Sequence, residues 1–293
     1  IEKLPYLKEL GIDLLWICPF YLSPMRDNGY DVEDYYAVDP QFGSMEDMDA
    51  LLEKAGALGI RVIIDMVLNH TSDRHRWFQE ALKDPKSRYR DYYIFKESKE
   101  RPSNARSCFS GSVWEKVEEN VWYYHTFDKT QPDLNWECRE LRREVYKIMN
   151  YWLDKGVSGF RMDAITYIKK GNSMKNAEPQ GEDGLHDVAD IGLNQPGIGD
   201  FLLEMRKECI DGRDAMTVAE APGVPYDEIG EFIGENGYFS MIFDFSYADI
   251  DLAPGGNWYY QADWKFSQLK KLIFHSQLSV QRQGWGAVYL ENH

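Results

Sequence analysis

No apolar run in the 293 residues approaches the ~20 that a membrane-spanning helix needs, so no membrane partner is expected. Cysteine is scarce. Cys18, Cys108, Cys138 and Cys209 lie far apart, form no CxxC pair and join no histidine at zinc spacing. Free thiols and a cytoplasmic setting are the expectation, with no metal and no cofactor. Basic charge is short as well: 33 Lys and Arg stand against 49 Asp and Glu, a formal net charge of −16. A nucleic-acid backbone would need clustered cations, so it is excluded as a partner, and a neutral substrate fits better than an anionic one. No GxGxxG or Walker loop marks a nucleotide site.

What is present is an ordinary globular balance, 43% hydrophobic and 28% charged, enough for a sizeable core. Aromatic residues reach 14%, and their faces stack on sugar rings as readily as they fill cores. The chain opens on IEKLPYLKELG, which reads as the middle of a helix, and stops abruptly at YLENH. The expectation is a fragment, cut at both ends, and a monomer.

Strand-like and helix-like segments alternate along the chain. Strands are expected at Asp13–Phe20, Ile60–Leu68, Val157–Asp163, Met216–Glu220, Phe239–Phe245 and Gly286–Leu290. Between them come helices at Ser44–Leu58, with Ser44 as cap and Gly59 as stop, then Arg139–Lys155, Asp200–Ile210, about Tyr226–Ile233 and Asp263–Gln281. A polar stretch from Thr71 to about Asn135 is too long for a loop and reads as an inserted subdomain. The expected division is therefore 1–70 barrel, 71–135 insertion and 136–293 barrel. Lys169–Gly199 reads as a connector. Such a rhythm means a parallel α/β sheet, either a closed (β/α)8 barrel or a doubly wound sheet. Asn69 with His70, Asp163, Glu220 and His293 fall at the C-terminal ends of different strands. A barrel gathers those ends into one mouth, so an incomplete TIM-type barrel of about six strands is expected.

In GFRMDAI, Arg161 and Asp163 are two apart on a strand and share a face, opposite Phe160 and Met162. Burying an ion pair contributes little to stability, so the inward pair suggests a different use: Arg161 would keep the Asp163 carboxylate ionised, as a nucleophile requires. An interior salt bridge remains the alternative. Glu220, in TVAEAPG, is a second carboxylate at a strand end. Facing a partly apolar pocket without a cation of its own, it would have a raised pKa suited to giving a proton, or it would simply line a polar mouth. One carboxylate paired to Arg and one not is the split that glycoside hydrolysis uses. Asp65, inside DMVLNH, reads as structural. His70 reads as a hydroxyl-binding residue or a capped loop histidine. DNGYD and HTFDKTQPDLNW read as turns, around Asn28–Gly29 and Pro132.

DMVLNH, GFRMDAI, the Glu220 strand and the terminal ENH, in this order and at these spacings, resemble the ordered motifs of the α-amylase family, glycoside hydrolase family 13. QPDLN at Gln131–Asn135 and NHTSDRHRWFQEALKDP resemble its oligo-1,6-glucosidase/α-glucosidase branch. The resemblance implies a retaining double displacement. Asp163 would attack the anomeric carbon, Glu220 would protonate the leaving oxygen and then activate water, and Arg161 would orient the nucleophile. The two carboxylates would face each other across roughly 5–5.5 Å. It further implies that His70 and His293 bind glucose hydroxyls, that Asp27 and Tyr30 close the pocket, and that Phe127 and Phe109 line it. The expected activity is an exo-acting α-glucosidase on short oligosaccharides, and Ala164, after the nucleophile, leans toward α-1,4 or mixed linkage.

Two departures accompany the resemblance. The family's third catalytic acid follows the asparagine–histidine pair, and this sequence stops at His293; the branch's metal loop would precede Ile1. The 1–293 chain alone is therefore expected to be inactive. A transglycosylase, a sucrose isomerase and a trehalose-6-phosphate hydrolase share the mechanism and stay open. A non-catalytic barrel, such as the ectodomain of a transporter heavy chain, is the alternative of another class.

Overall fold

The computed structural model describes residues 1–252 and 261–289; His293, expected in the site, lies outside the described residues. Six strands form one parallel sheet: β1 (Leu14–Ile17), β2 (Arg61–Val67), β3 (Gly159–Asp163), β4 (Met216–Glu220), β5 (Met241–Phe243) and β6 (Trp285–Ala287). Their order in space is their order in sequence. A doubly wound sheet reverses direction at a switch point, whereas a barrel advances one way, so this sheet follows the barrel path.

Helices make the crossovers. α1 (Leu4–Glu9) precedes β1, and α2 (Met45–Ala57), α3 (Arg139–Asp154), α4 (Ile198–Met205), α5 (Ile229–Ile233) and α6 (Phe266–Gln281) fill the five gaps. Ser44 caps α2 as expected. Its Oγ accepts the Asp47 N–H at 3.3 Å, and Asp47 Oδ2 accepts the Ser44 N–H at 2.8 Å. The apolar stripe of α3, Leu141, Val145, Ile148, Met149 and Trp152, is buried against the sheet.

β2 and β3 are neighbours inside the sheet, and neither exposes a face. Phe160 and Met162 pack into the apolar core, while Arg161 lies level with Asp65 on β2 and Val218 on β4. The inward placement of the Arg161–Asp163 pair is thus a matter of register. Gly159 makes the β3–β4 approach possible: at φ +139°, an added Cβ would fall 1.8 Å from the Met216 carbonyl oxygen.

Several elements are shorter than expected. β1 stops before Pro19, which has no N–H to give a ladder. β3 starts at Gly159 because Val157 donates back to the Trp152 carbonyl at the end of α3. α3 itself ends at Asp154. α5 begins at Ile229, after a turn on the Pro225 carbonyl. β5 ends at Phe243, where Asp244 Oδ1 accepts the Ser246 N–H and bends the chain away. α6 starts at Phe266, three residues later than expected; β6 starts at Trp285, one residue earlier than expected, and the expected end at Leu290 lies outside the described residues. The helix expected at Asp200–Ile210 starts at Ile198 and widens into a π turn over Arg206–Ile210.

Between β2 and α3 the chain builds a helix at Arg76–Lys83 and a three-stranded antiparallel sheet from Phe95–Glu97, Trp114–Glu118 and Val121–Tyr124. The Lys169–Gly199 stretch is more structured than a connector. It holds a helical turn at Val188–Gly192, and His186–Asp187 pairs with Ala105–Arg106 of the preceding segment. Arg106 secures this contact through Asp183 at 2.9 Å and Asp187 at 2.7 Å.

Candidate active site

The turn after β1 is held from within. The buried Asp31 carboxylate accepts the backbone N–H groups of Arg26 and Asp27, each at 3.1 Å, and the Ser23 hydroxyl at 3.0 Å. Asn28 takes φ +49° and Gly29 φ +97°, where a Cβ would meet the Pro19 oxygen at 2.9 Å. Asn and Gly are the residues that tolerate this backbone, so DNGYD folds sharply and presents Asp27, Asn28 and Tyr30 to the mouth of the sheet.

There they meet the strand ends around a cavity of about 510 Å³. Asp27, Tyr30, His70, Phe109 and Phe127 line it, with Arg161, Asp163 and Glu220 at its floor. Every expected site residue among the described ones therefore reaches one space. Cys18, Asn28 and Ala164 line it too, and none had been assigned a role there beyond the linkage preference read from Ala164. A larger hollow of about 810 Å³ runs beside α2 and residues 1–3; its walls are mainly apolar, and no paired catalytic groups converge in it.

Arg161 organises the floor. Its Nη1 bonds Asp163 Oδ1 at 2.7 Å and Asp65 Oδ1 at 2.8 Å, and its Nη2 bonds Glu220 Oε2 at 2.6 Å. This corrects the expected division of one paired and one unpaired carboxylate: a single guanidinium serves three. Asp65 is wholly buried and also takes the Tyr30 hydroxyl at 3.1 Å and the Trp16 indole N–H at 3.3 Å.

The charge balance follows from that sharing. Burial raises the Asp163 carboxyl well above its ordinary range; Arg161 pulls it down, and the charges of Glu220 and Asp65 push it up again. Burial likewise raises Asp65 against the pull of Arg161. Arg161 thus does not hold Asp163 ionised on its own. Asp65 and Asp163 share that guanidinium, so their protons leave in macroscopic steps that belong to the pair and not to either residue. The same neighbours hold Arg161 firmly cationic, against the opposing effect of burial.

Ala164 adds a fourth contact. It follows Asp163 in a left-handed conformation, φ +43°, and its N–H donates to Glu220 Oε2 at 3.0 Å. Glu220 Oε2 therefore receives two donors and is fixed as an acceptor, leaving Oε1 as the oxygen free to carry a transferable proton.

The walls are aromatic. Phe127 meets His70 edge-on at 5.3 Å and Tyr167 at 5.5 Å, and Phe109 lies 5.7 Å from Phe127 at the exposed rim. His70 is buried, and burial lowers its pKa, so the ring is neutral. Gln131 was visible only as part of a motif. It is fully buried and donates from Nε2 to Asp27 Oδ2 at 2.7 Å, while its Oε1 accepts the Asp128 N–H at 3.1 Å. Nothing in the sequence indicates which way that side chain turns. Among the described residues, no group of three or more His, Cys, Asp or Glu side chains is placed to hold a metal ion, and no helix is long and apolar enough to cross a membrane.

The whole chain resembles known proteins. The family model described as "Alpha amylase, catalytic domain" matches residues 1–293. The chain is 44% identical over 297 aligned positions to an oligo-1,6-glucosidase of Parageobacillus thermoglucosidasius, with all of this chain and 53% of that protein covered. It is 40% identical to a trehalose-6-phosphate hydrolase of Bacillus subtilis (strain 168), covering all of this chain and 52% of that one. The crystal structure of an isomaltulose synthase from Erwinia rhapontici NX5 superposes with a TM-score of 0.93 at 37% identity, again over the whole chain and 52% of its counterpart. The chain spans about half the length of the relatives it matches.

Proposed function

Because the chain belongs to the α-amylase catalytic-domain family, we propose that the protein containing it is a retaining, exo-acting α-glucosidase that releases terminal glucose from short α-linked oligosaccharides. Asp163 is the nucleophile in this reading and Glu220 the acid/base. The observation that carries it is the meeting of both carboxyls on Arg161 in a cavity that Asp27, Tyr30 and Phe109 also line. In the first half-reaction the Asp163 carboxylate attacks the anomeric carbon as the proton on Glu220 Oε1 passes to the leaving oxygen. In the second, Glu220 takes a proton from water as water displaces Asp163, so the configuration is retained.

Arg161 stays in place throughout. When Asp163 becomes an ester it loses its charge, and the guanidinium still faces Asp65 and Glu220, so no charge is stranded. The aromatic edges of Phe127 and Phe109 offer apolar contact to a sugar ring, and the buried polar groups around His70 supply orientation. In this reading residues 71–135 act as an inserted subdomain that forms one wall of the pocket.

A phosphorylated substrate is less well served. Among the described residues lining the cavity, Arg161 is the sole lysine or arginine, and three carboxyls occupy it. That favours neutral glucosides. The test is the full-length protein on maltose, isomaltose, sucrose and trehalose-6-phosphate, with the first-formed anomer of glucose followed by NMR. Release of α-glucose is expected. Asp163→Asn and Glu220→Gln should each lower turnover by several orders of magnitude, and near wild-type activity in either would remove that residue from its role.

A further inference from the structure

One largely buried cation, its side chain 9% exposed, lies outside the chemistry just described. Lys170 follows β3 and faces three oxygens: Asp133 Oδ2 at 2.5 Å, Asn69 Oδ1 at 2.6 Å and the Tyr167 carbonyl at 2.6 Å. Three acceptors at these distances use the three N–H bonds of an ammonium. The contact to Asn69 settles the orientation of its amide, since only the oxygen can face Lys170. The amide nitrogen Nδ2 is left pointing at His70 Nδ1, 3.3 Å away. An amide nitrogen only donates, so His70 Nδ1 must present its lone pair.

We propose that Lys170, acting through Asn69, is a positioning residue that fixes His70 as the Nε2–H tautomer. His70 Nε2 then becomes a hydrogen-bond donor, and in this structure it meets the Tyr30 carbonyl oxygen at 3.2 Å. The other near neighbour of that nitrogen is a second donor, so the choice of tautomer rests on Nδ1, which faces the Asn69 amide nitrogen, and on the Tyr30 oxygen. Gln131 Nε2 is 3.2 Å from His70 Nε2, and Asp27 and the Asp128 N–H hold Gln131 with its amide nitrogen on that side. With Nε2 protonated, the Asn69 donor and the Tyr30 acceptor are both served and only the Gln131 contact is unmade, whereas the Nδ1–H tautomer would serve Gln131 alone.

The consequence rests on the glucosidase reading. His70 lines the cavity, so a sugar oxygen approaching Nε2 would meet a donor, and a hydroxyl there would be recognised by its lone pairs rather than by its proton. These four residues come from three places: Asn69 and His70 from the end of β2, Lys170 from beyond β3, and Asp133 from the returning end of the insertion. The insertion is thereby coupled to the protonation pattern of the pocket.

The test reads nitrogen, not turnover. In full-length protein labelled with 15N-histidine, the His70 signals are assigned by their loss in His70→Gln. The wild type should show a pyridine-type Nδ1 and a protonated Nε2; a protonated Nδ1 would overturn the proposal. Asn69→Asp replaces the only donor toward Nδ1 in this relay with an acceptor, and Nδ1 should then gain a proton, as the Nδ1–H tautomer or as imidazolium. Lys170→Met should allow Asn69 to turn and yield a mixture of tautomers. If that variant does not fold, Asn69→Asp decides alone, and an unchanged spectrum there refutes the relay. Turnover of α-glucosides by the wild type is a separate measurement, so failure of the proposed activity and failure of the relay are told apart.

Discussion

Glu220 Oε2 lies 2.6 Å from Nη2 of Arg161, so the carboxyl assigned to give a proton is tied to the same cation as the assigned nucleophile. Removing that cation would leave Asp65, Asp163 and Glu220 facing one another with little water to screen them. Stranding buried charges in this way costs about 3–5 kcal/mol. Arg161→Met should lose stability on that scale, read from the midpoint of chemical denaturation. Arg161→Lys keeps the charge as one point and cannot fork to three partners. It should recover much of the stability while turnover of the full-length protein stays at least ~100-fold down, a loss worth about 2.7 kcal/mol. Equal activity in Arg161→Lys and wild type would show that the fork does not matter.

The pH dependence of stability has two opposed contributions. Asp65 and Asp163 are raised in the fold, so their contribution is complete below the unfolded carboxyl value and is lost as pH rises through their folded values. His75 behaves in reverse. It sits between Tyr35 and Trp77, its Nδ1 accepts the Trp77 N–H at 3.1 Å, and burial lowers its pKa to about 3. Its contribution is complete above the unfolded value near 6.5 and is lost as pH falls toward 3, by about 5 kcal/mol at most. His75→Asn can keep the cap on the Trp77 N–H without titrating. Denaturation of the two proteins across pH 3–7 should therefore show a flatter acid limb for the variant, and parallel limbs would contradict the assignment.

How much of this was legible beforehand depends on the physics involved. The period-2 pattern of GFRMDAI placed Arg161 and Asp163 on one face, and the structure sets Phe160 and Met162 on the other. The Ser44 cap and the six strands were equally local signals. What sequence patterns do not carry is who shares a partner. The third claimant on Arg161, Asp65, is 96 residues away in sequence and arrives by strand register, so it read as structural alone. Gln131 reaches Asp27 across 104 residues, and Lys170 reaches Asn69 across 101. Strand ends slipped for a related reason: a run of apolar residues says where a strand fits, but pairing with a neighbour decides where it stops.

Gly159 offers a test of that register. Its added Cβ would fall 1.8 Å from the Met216 oxygen, a backbone atom that cannot swing aside, and φ +139° is unfavourable to any L side chain. Gly159→Ala should separate β3 from β4 just below the Arg161 level, at a cost above the ~1–3 kcal/mol usual for overpacking. Poor soluble yield, or a denaturation midpoint shifted by at least that amount, is expected. A normal midpoint would mean that the two strands can move apart without loss.

Gln131 separates positioning from chemistry. Its amide nitrogen is the donor that Asp27 Oδ2 accepts inside the protein, and Asp128 fixes the amide from the other end. Gln131→Glu conserves the shape and replaces that donor with a second carboxylate, so Asp27 meets a like charge and turns away. An unmade bond at a buried group costs about 1–3 kcal/mol, which corresponds to a roughly 5- to 150-fold weaker hold on the sugar. Asp27 touches neither the nucleophile nor the acid in this structure, so the loss should appear as a higher KM for maltose, with kcat changed far less. Gln131→Met removes the donor without adding charge and should fall between the two. Steady-state kinetics on the full-length protein would settle it, and a fall in kcat at constant KM would place Gln131 in the chemical step instead.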